Sequence, residues 1–432
     1  MIFHVSPTTE LSGHIYLPAS KSYSIRAFII AACGGRSQII SPSNCKDAIV
    51  ARQIASALGA QVQEVKEGVW NVFVDSRASI SPRINVQESG TGLRFLLPLA
   101  CLKNEPCRIV GEGSLKGRPN HFLTETLRRM GASIEGRGQV ESVPIVIKPQ
   151  SMQGGTIAID GSLSSQFISA LLITCPMLGV DTRLKLVGRK IVSSDYITMT
   201  QQVLERAGVS VHKKEARLYQ IKGNQVYKGL RRFHVPSDYG LAAFPMAAAV
   251  LTKSDVTLNG FFSDDLIQAD GHIFPLLEAL GVDFKKTSRS IKVKGPFVLK
   301  GGSFSLKDAP DLVPIMAILA LFARRKTRLR NIKHARVKES DRISDLRKEL
   351  LKVGARVDEK EDELIIHPLQ EYKENVLIDP HNDHRLAMAF SVFGIKHAVR
   401  IKDIECTQKS YPDFVKDFKI LHVDASLQRN DR

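Results

Sequence analysis

Leu17-Pro18-Ala19-Ser20-Lys21-Ser22-Tyr23-Ser24-Ile25-Arg26 runs directly into Ala27-Phe28-Ile29-Ile30-Ala31-Ala32. The stretch reads as an extended lead-in containing a proline, then a polar turn, then an apolar helix. Ser20 or Ser22 suits the N-cap of that helix. The unpaired backbone N–H groups of a helix start, with the positive end of its dipole, favour an anion. Lys21 adds a mobile positive charge, and Arg26 lies one turn beyond Ser22 on the same face. Alone, this is equally an ordinary capped helix with solvated cations. Its recurrence along the chain changes the weight of the two readings.

Working outward, the sequence repeats. An apolar residue, a glycine and a small residue end a helical pattern at Leu58-Gly59-Ala60, Met130-Gly131-Ala132, Ala207-Gly208-Val209, Leu280-Gly281-Val282 and Val353-Gly354-Ala355. The glycines are 72, 77, 73 and 73 residues apart. Each fits the left-handed C′ position of an amphipathic helix. The expected helices are Asp47–Leu58, His121–Met130, Tyr196–Ala207, His272–Leu280 and Arg342–Val353. A sixth copy, Phe414–Leu421 before His422-Val423-Asp424, has lost the glycine. In phase with this series, polar turns precede apolar helices at Lys21, Thr91, Ser165, Asp238, Asp311 and Asp383, in steps of 70, 74, 73, 73 and 72 residues. Two concordant series define six units of about 72 residues.

The apolar helices, such as Leu312–Ala320, carry no polar face and are expected inside, with amphipathic helices and strands around them. Three units can close around their buried helices. The sequence therefore predicts an α/β protein of two pseudo-symmetric domains, with a seam near Gly229–Pro236. Helix starts from both halves would then gather Lys21, Arg94, Ser164, Ser165, Asp311 and Arg385.

The 432 residues exceed what one core accommodates, and 43% hydrophobic with 24% charged is a globular composition. No apolar run reaches the roughly 18 residues of a membrane span. The start lacks a basic segment followed by an apolar core, so no signal peptide is expected. Six cysteines without Cys-x-x-Cys spacing read as buried free thiols of a reducing compartment. The net charge of +17 calls for anionic partners. Aromatic residues are only 6%, few for a base-stacking surface, which favours small anions over nucleic acid. His381 and His384 have no third ligand at metal spacing, so no metal is expected. Neither a Gly-x-x-x-x-Gly-Lys-[Ser/Thr] loop nor a Gly-x-Gly-x-x-Gly after a strand is present, which argues against nucleotide binding of those kinds.

Each helix start has a structural reading beside its functional one. Gly90-Thr91-Gly92 can be a tight turn, Ser164-Ser165-Gln166 a plain cap, Gly117-Arg118-Pro119 a loop with a solvated arginine, and Asp311 a helix cap. Arg336-Val337-Lys338-Glu339-Ser340-Asp341-Arg342 can be a solvated charge run. Asn382-Asp383-His384-Arg385 and Lys409-Ser410-Tyr411-Pro412-Asp413 can be capped helix starts. Their occurrence at equivalent places in a repeat favours function.

Taken together with Leu17–Ser22 and Ser89-Gly90-Thr91 before Arg94, these motifs resemble the 5-enolpyruvylshikimate-3-phosphate synthases (3-phosphoshikimate 1-carboxyvinyltransferases) over nearly the whole chain. The resemblance implies the enolpyruvyl transferase fold, an inside-out α/β barrel of two domains. Each holds three βαβαββ repeats, with residues 21–233 in one domain and 1–20 with 234–432 in the other. It implies transfer of the enolpyruvyl group of phosphoenolpyruvate to the 5-hydroxyl of shikimate 3-phosphate, with loss of phosphate, through addition and elimination. It implies no metal or organic cofactor, sensitivity of the family to glyphosate, and a cytoplasmic monomer without nucleic-acid or membrane partners.

Carried over by position, Lys21, Ser22, Arg26, Ser164, Ser165, Gln166, Ser193, Tyr196, Asp311 and Lys338 would hold shikimate 3-phosphate. Lys21, Gly90, Arg118, Gln166, Arg342, Arg385 and Lys409 would hold phosphoenolpyruvate. Together the substrates carry about six negative charges, which forked guanidinium groups pair well. Asp311 is the candidate acceptor of the hydroxyl proton, Glu339 the candidate acid–base at the methylene carbon, and Lys21 the stabiliser of developing charge. Closure of the domains would exclude water. The chain departs from the common pattern at Glu88, Tyr239-Gly240-Leu241, Ala269, Ser194-Asp195 and His334.

Two other readings stay open. A sister family transfers enolpyruvyl to UDP-N-acetylglucosamine and usually carries a reactive cysteine before its Arg-Pro; here Gly111–Arg118 has none. A non-enzymatic nucleic-acid-binding protein is the second.

Overall fold

The computed structural model describes residues 1–74 and 79–429. The last three residues of the second expected domain therefore lie outside the described residues. Twelve α-helices are described: α1 Lys21–Ala31, α2 Lys46–Ala57, α3 Gly90–Leu102, α4 His121–Arg129, α5 Ser165–Thr174, α6 Ser194–Arg206, α7 Tyr239–Leu251, α8 Ile273–Leu280, α9 Val313–Leu321, α10 Arg342–Lys352, α11 His384–Gly394 and α12 Phe414–Ile420. Odd-numbered helices are the apolar series and even-numbered ones the amphipathic series. The chain forms two compact units: Ala19–Val235, and Met1–Pro18 with Pro236–Arg432.

Each unit has the same internal plan. The apolar helices have no charged stripe to offer water, so they pack on one another. In the first unit α3 packs against both α1 and α5. In the second, α7, α9 and α11 pack together, and every residue of all three is buried. Burying one Leu, Ile or Phe side chain contributes roughly 1.5–3 kcal/mol, so these helices form the core. α10 shows the other pattern: Ile343, Leu346 and Leu350 turn inward and the remaining face is largely polar.

Six four-stranded sheets cover the helices among the described residues. Five share one design. Two parallel strands lie side by side, joined in three of the five through an apolar helix, and an antiparallel hairpin pairs with one of them, as in Arg83–Asn85, Cys107–Val110, Ser142–Lys148 and Ser133–Arg137. In two of the five, the parallel strand beside the repeat comes from a distant place in the chain. Arg231–His234 lies parallel to Arg36–Ile40, and Glu10–Tyr16 lies parallel to Lys253–Asn259. In the sixth sheet, Ile2–Val5 fills a central place between Val399–Ile401 and Ala425–Gln428.

The expected helix ends are present. Gly59, Gly131, Gly208, Gly281 and Gly354 all have φ between 79° and 101°. After four of them the next N–H reaches back to the carbonyl five residues earlier, as in Ala132 N to Leu127 O at 3.0 Å. The sixth copy keeps this closure without glycine. His422 takes φ 64°, and Val423 N donates to Phe418 O at 3.0 Å. All six cysteines are free, and burial pushes the thiols of Cys33, Cys101 and Cys175 up to about 12.

Candidate active site

Five of the six apolar helices begin on a side-chain cap. Ser20 accepts from Tyr23 N at 3.4 Å, Ser89 from Gly92 N at 3.3 Å, Ser164 from Gln166 N at 3.3 Å, Asp238 from Leu241 N at 3.1 Å and Asp383 from Arg385 N at 2.9 Å. Ser20 is therefore the cap of α1, and Ser22 sits inside its first turn. The helix without such a cap is α9. Asp311 lies just before it, in the short 3₁₀ turn Pro310–Leu312, and its carboxylate pairs with cations instead.

In the first unit, Lys21 opens α1 and its Nζ lies 3.2 Å from Asp47 Oδ2. Arg26, on the next turn, is 2% exposed. Its Nε donates to Thr200 Oγ1, its Nη2 to the Tyr196 carbonyl and its Nη1 to the Ser22 carbonyl, all at 2.9–3.0 Å. Burial lowers its guanidinium to about 10. Arg26 thus ties α1 to the first turns of α6, where Tyr196 follows the left-handed Ser193 (φ 55°). Here it positions the candidate ligands Ser22 and Tyr196 through their backbones.

Gln166, in the first turn of α5, accepts a hydrogen bond from Arg94 Nη1 and donates to Thr91 Oγ1 at 2.9 Å. Arg94 also donates to the Pro119 carbonyl at 3.2 Å, next to Arg118. Arg118 is 6% exposed, and its guanidinium lies over Gly90. A Cβ on Gly90 would fall 2.6 Å from Arg118 Nη1. Helix starts α3 and α5 and the 118–119 turn therefore form one polar cluster, with Ser164 and Ser165 on its border.

In the second unit, Arg342 is the centre. It opens α10 and is 0% exposed. Its Nε pairs with Asp383 Oδ2, its Nη1 with Asp311 Oδ1 and its Nη2 with Glu339 Oε2, each at 2.8 Å. Burial works against the guanidinium charge, and the three carboxylates more than reverse that, raising it above its ordinary value. Removing one partner of such a buried pair costs about 3–5 kcal/mol. Arg342, expected as a phosphoenolpyruvate ligand, has its donors on protein carboxylates here. Asp311 is also 3.1 Å from Arg385 Nη2 and 3.5 Å from Lys338 Nζ. Lys409, at the end of the short helix Ile404–Lys409, is 6% exposed.

Asp270 is a residue that motif reading left without a role. Its Oδ2 lies 3.4 Å from Arg385 Nη2. Burial lifts its carboxyl above the usual range against the pull of Arg385, and Asp311 and Asp238 add to the rise. A Cβ on Gly240 would meet Asp270 Oδ2 at 2.1 Å, so glycine in the first turn of α7 makes room for it. Asp47, Thr200 and Asp383 likewise support site residues. Only Asp383 had a local signal, its place as a cap two residues before Arg385. No group of three metal-ligating side chains is found among the described residues.

The family model of EPSP synthase (3-phosphoshikimate 1-carboxyvinyltransferase) matches residues 5–418. The chain belongs to the EPSP synthase family. It is 33% identical to the 3-phosphoshikimate 1-carboxyvinyltransferase of Methanococcus aeolicus, over 98% of this chain and 99% of that one. It is 35% identical to that of Nitrosopumilus maritimus, over 97% and 98%. In fold it is similar to an EPSP synthase from Acinetobacter baumannii, with TM-score 0.80 and 24% identity over 99% of this chain and 100% of that one. It is also similar to the enolpyruvyl transferase NikO from Streptomyces tendae, with TM-score 0.78 and 18% identity over 98% of each. The α/β architecture of three repeats per unit is thus that of the enolpyruvyl transferases, and the chain is an enolpyruvyl-transferring enzyme of the shikimate pathway. Among the described residues no helix is long and apolar enough to cross a membrane.

Proposed function

We propose that the residues of these two clusters join phosphoenolpyruvate to the 5-hydroxyl of shikimate 3-phosphate. The supporting observation is Asp311, an 84% buried carboxylate with Arg342, Arg385 and Lys338 at 2.8, 3.1 and 3.5 Å. The three cations hold the carboxylate in place at the start of α9. Anionic substrates compete for the same cations. As Arg385 and Lys338 turn to phosphate and carboxylate groups, the Asp311 carboxylate is left open to the hydroxyl that it deprotonates.

Shikimate 3-phosphate is held by Ser22, Ser164, Ser165, Gln166, Ser193, Tyr196, Lys338 and Asp311, with Arg26 fixing the first turns. Phosphoenolpyruvate is held by Lys21, Gly90, Arg118, Gln166, Arg385 and Lys409, with Arg342 contributing through the carboxylates it orients. In the addition step the 5-oxygen bonds to C2 of phosphoenolpyruvate, its proton passes to Asp311, and C3 takes a proton from Glu339. In the elimination step Glu339 recovers a proton from C3, and phosphate leaves C2 with the proton that Asp311 gives back. Lys21 offsets the developing charge. Residues 21–233 act as one domain and 1–20 with 234–432 as the other, in a cytoplasmic monomer that needs no cofactor.

The test is exchange at C3. In deuterium oxide the enzyme places solvent deuterium in the methylene group of the product and of recovered phosphoenolpyruvate. Glu339→Gln, which leaves Asp311 intact, abolishes that label while both substrates still bind. Undiminished deuterium incorporation by this variant would remove Glu339 from the chemistry.

A further inference from the structure

The solvent face of the first sheet gathers cations that nothing in the transfer reaction uses. A cavity of about 780 Å³ lies over the strands Arg36–Ile40, Val69–Val74 and Ala60–Lys66, and Lys228 and Arg231 line its edge. Its size is that of a small-molecule site. Three of its lining residues, Arg36, Lys228 and Arg231, are exposed cations, and among the described residues no carboxylate lines it. Among the described residues none of the three is in an ion pair with a carboxylate.

The backbone brings these cations together at close quarters. Gly35 and Gly229 have φ 68° and 83°. A Cβ on Gly35 would lie 2.1 Å from the Lys228 carbonyl carbon, and one on Gly229 would lie 2.3 Å from Arg36 O. Only glycine at both places lets the two segments cross there. The crossing sets Lys228 and Arg231 beside Arg36 despite their repulsion, which a bound anion relieves. Two arginine forks and a lysine suit phosphate.

Beside them the sheet offers a flat, hydrogen-bonding floor. Arg36, Phe73 and Gln61 occupy one cross-strand row, and Gln38, Asn71 and Gln63 the next row on the same face. Phe73 is 39% exposed. Gln38 Nε2 donates to Asn71 Oδ1 at 3.3 Å, and the amides of Gln61 and Gln63, which have no side-chain partner among the described residues, offer both donors and acceptors to a ligand edge. An aromatic ring on a sheet face, flanked by amides and cations, stacks a base while the cations take its phosphates. One exposed ring fits one base.

We propose that this groove binds a nucleoside phosphate, with Phe73 stacking on the base and Arg36, Lys228 and Arg231 holding the phosphates. Neither of the glycine-rich phosphate loops absent from the sequence is involved. The proposal is independent of the residue roles assigned above, since no transfer-site residue lines the groove.

The experiment titrates the full-length protein with ATP and, separately, with tripolyphosphate, by isothermal titration calorimetry. Wild type is expected to bind one ATP saturably. The double variant Arg36→Glu, Lys228→Glu binds it at least about tenfold more weakly, with phosphate release from phosphoenolpyruvate and shikimate 3-phosphate unchanged. Phe73→Ala weakens ATP roughly tenfold and leaves tripolyphosphate unaffected, in line with loss of one stacked base. Unchanged ATP affinity in the double variant would place the nucleotide elsewhere, for instance on the transfer site, and overturn the proposal. So would tripolyphosphate binding as tightly as ATP, or no saturable binding at millimolar ATP.

Discussion

Replacing Asp311 by asparagine separates chemistry from architecture in this enzyme. The side chains are isosteric, and one oxygen remains to accept from Arg342 Nη1, now 2.8 Å away. Arg342 also keeps Asp383 and Glu339, each at 2.8 Å, so the buried guanidinium stays neutralised and the fold is retained. What disappears is the group proposed to take the hydroxyl proton. General-base contributions run at roughly 10²–10⁴, so kcat is expected to fall about a hundredfold or more, a barrier increase of about 2.7 kcal/mol or more. Affinity moves the other way. Arg385 and Lys338 lose a competing negative charge at 3.1 and 3.5 Å, so phosphoenolpyruvate binds as tightly as before or more tightly. The assay pairs phosphate release at saturating substrates with calorimetric binding of phosphoenolpyruvate in the presence of shikimate 3-phosphate. A kcat close to wild type would refute the role of Asp311 as base. A loss of kcat with binding weakened tenfold would make it a positioning residue.

Further expectations follow from single contacts. In Gly90→Ala the new methyl group drives the Arg118 guanidinium from its place at 2.6 Å, so the fold survives and KM for phosphoenolpyruvate rises several-fold in steady-state assays with kcat less affected. His334 is 7% exposed with no hydrogen-bond partner on Nε2 among the described residues, and burial, then nearby Lys338, lowers it from 6.5 to about 4. Its folded pKa lies below the unfolded value, so the neutral ring contributes stability that is present above pH 6.5 and lost as pH falls toward 4. His334→Asn therefore flattens the thermal stability profile across that window; an unchanged slope would dismiss the histidine as its source. His422 holds a left-handed C′ position at φ 64°, so His422→Gly raises stability by about 0.5–1 kcal/mol in chemical denaturation.

Much of this architecture was legible because it is repeated. A lone Gly131 is a weak sign of a helix end, but five such glycines at nearly constant spacing fix helices, strands and phase together. The missing glycine of the sixth repeat hid less than it seemed, since His422 accepts the same backbone conformation. Candidate site residues stood out in the sequence where they stand at helix starts, as Lys21, Ser164 and Arg385 do. Supporting residues did not. Asp47 reaches Lys21 across 26 positions, and Thr200 reaches Arg26 across 174. Asp270 becomes visible only through the space Gly240 leaves for it. The family resemblance also put Arg26 and Arg342 among the substrate ligands. Folding instead commits their donors to protein oxygens, because a buried guanidinium needs every partner it can reach.

The enzyme is expected to be specific for one acceptor of the enolpyruvyl group. Phosphate release from phosphoenolpyruvate, measured with shikimate 3-phosphate and in parallel with UDP-N-acetylglucosamine, tests it directly. Stoichiometric phosphate is expected with shikimate 3-phosphate and none with the nucleotide sugar. Release with the nucleotide sugar alone, or with neither acceptor in folded protein, would contradict it.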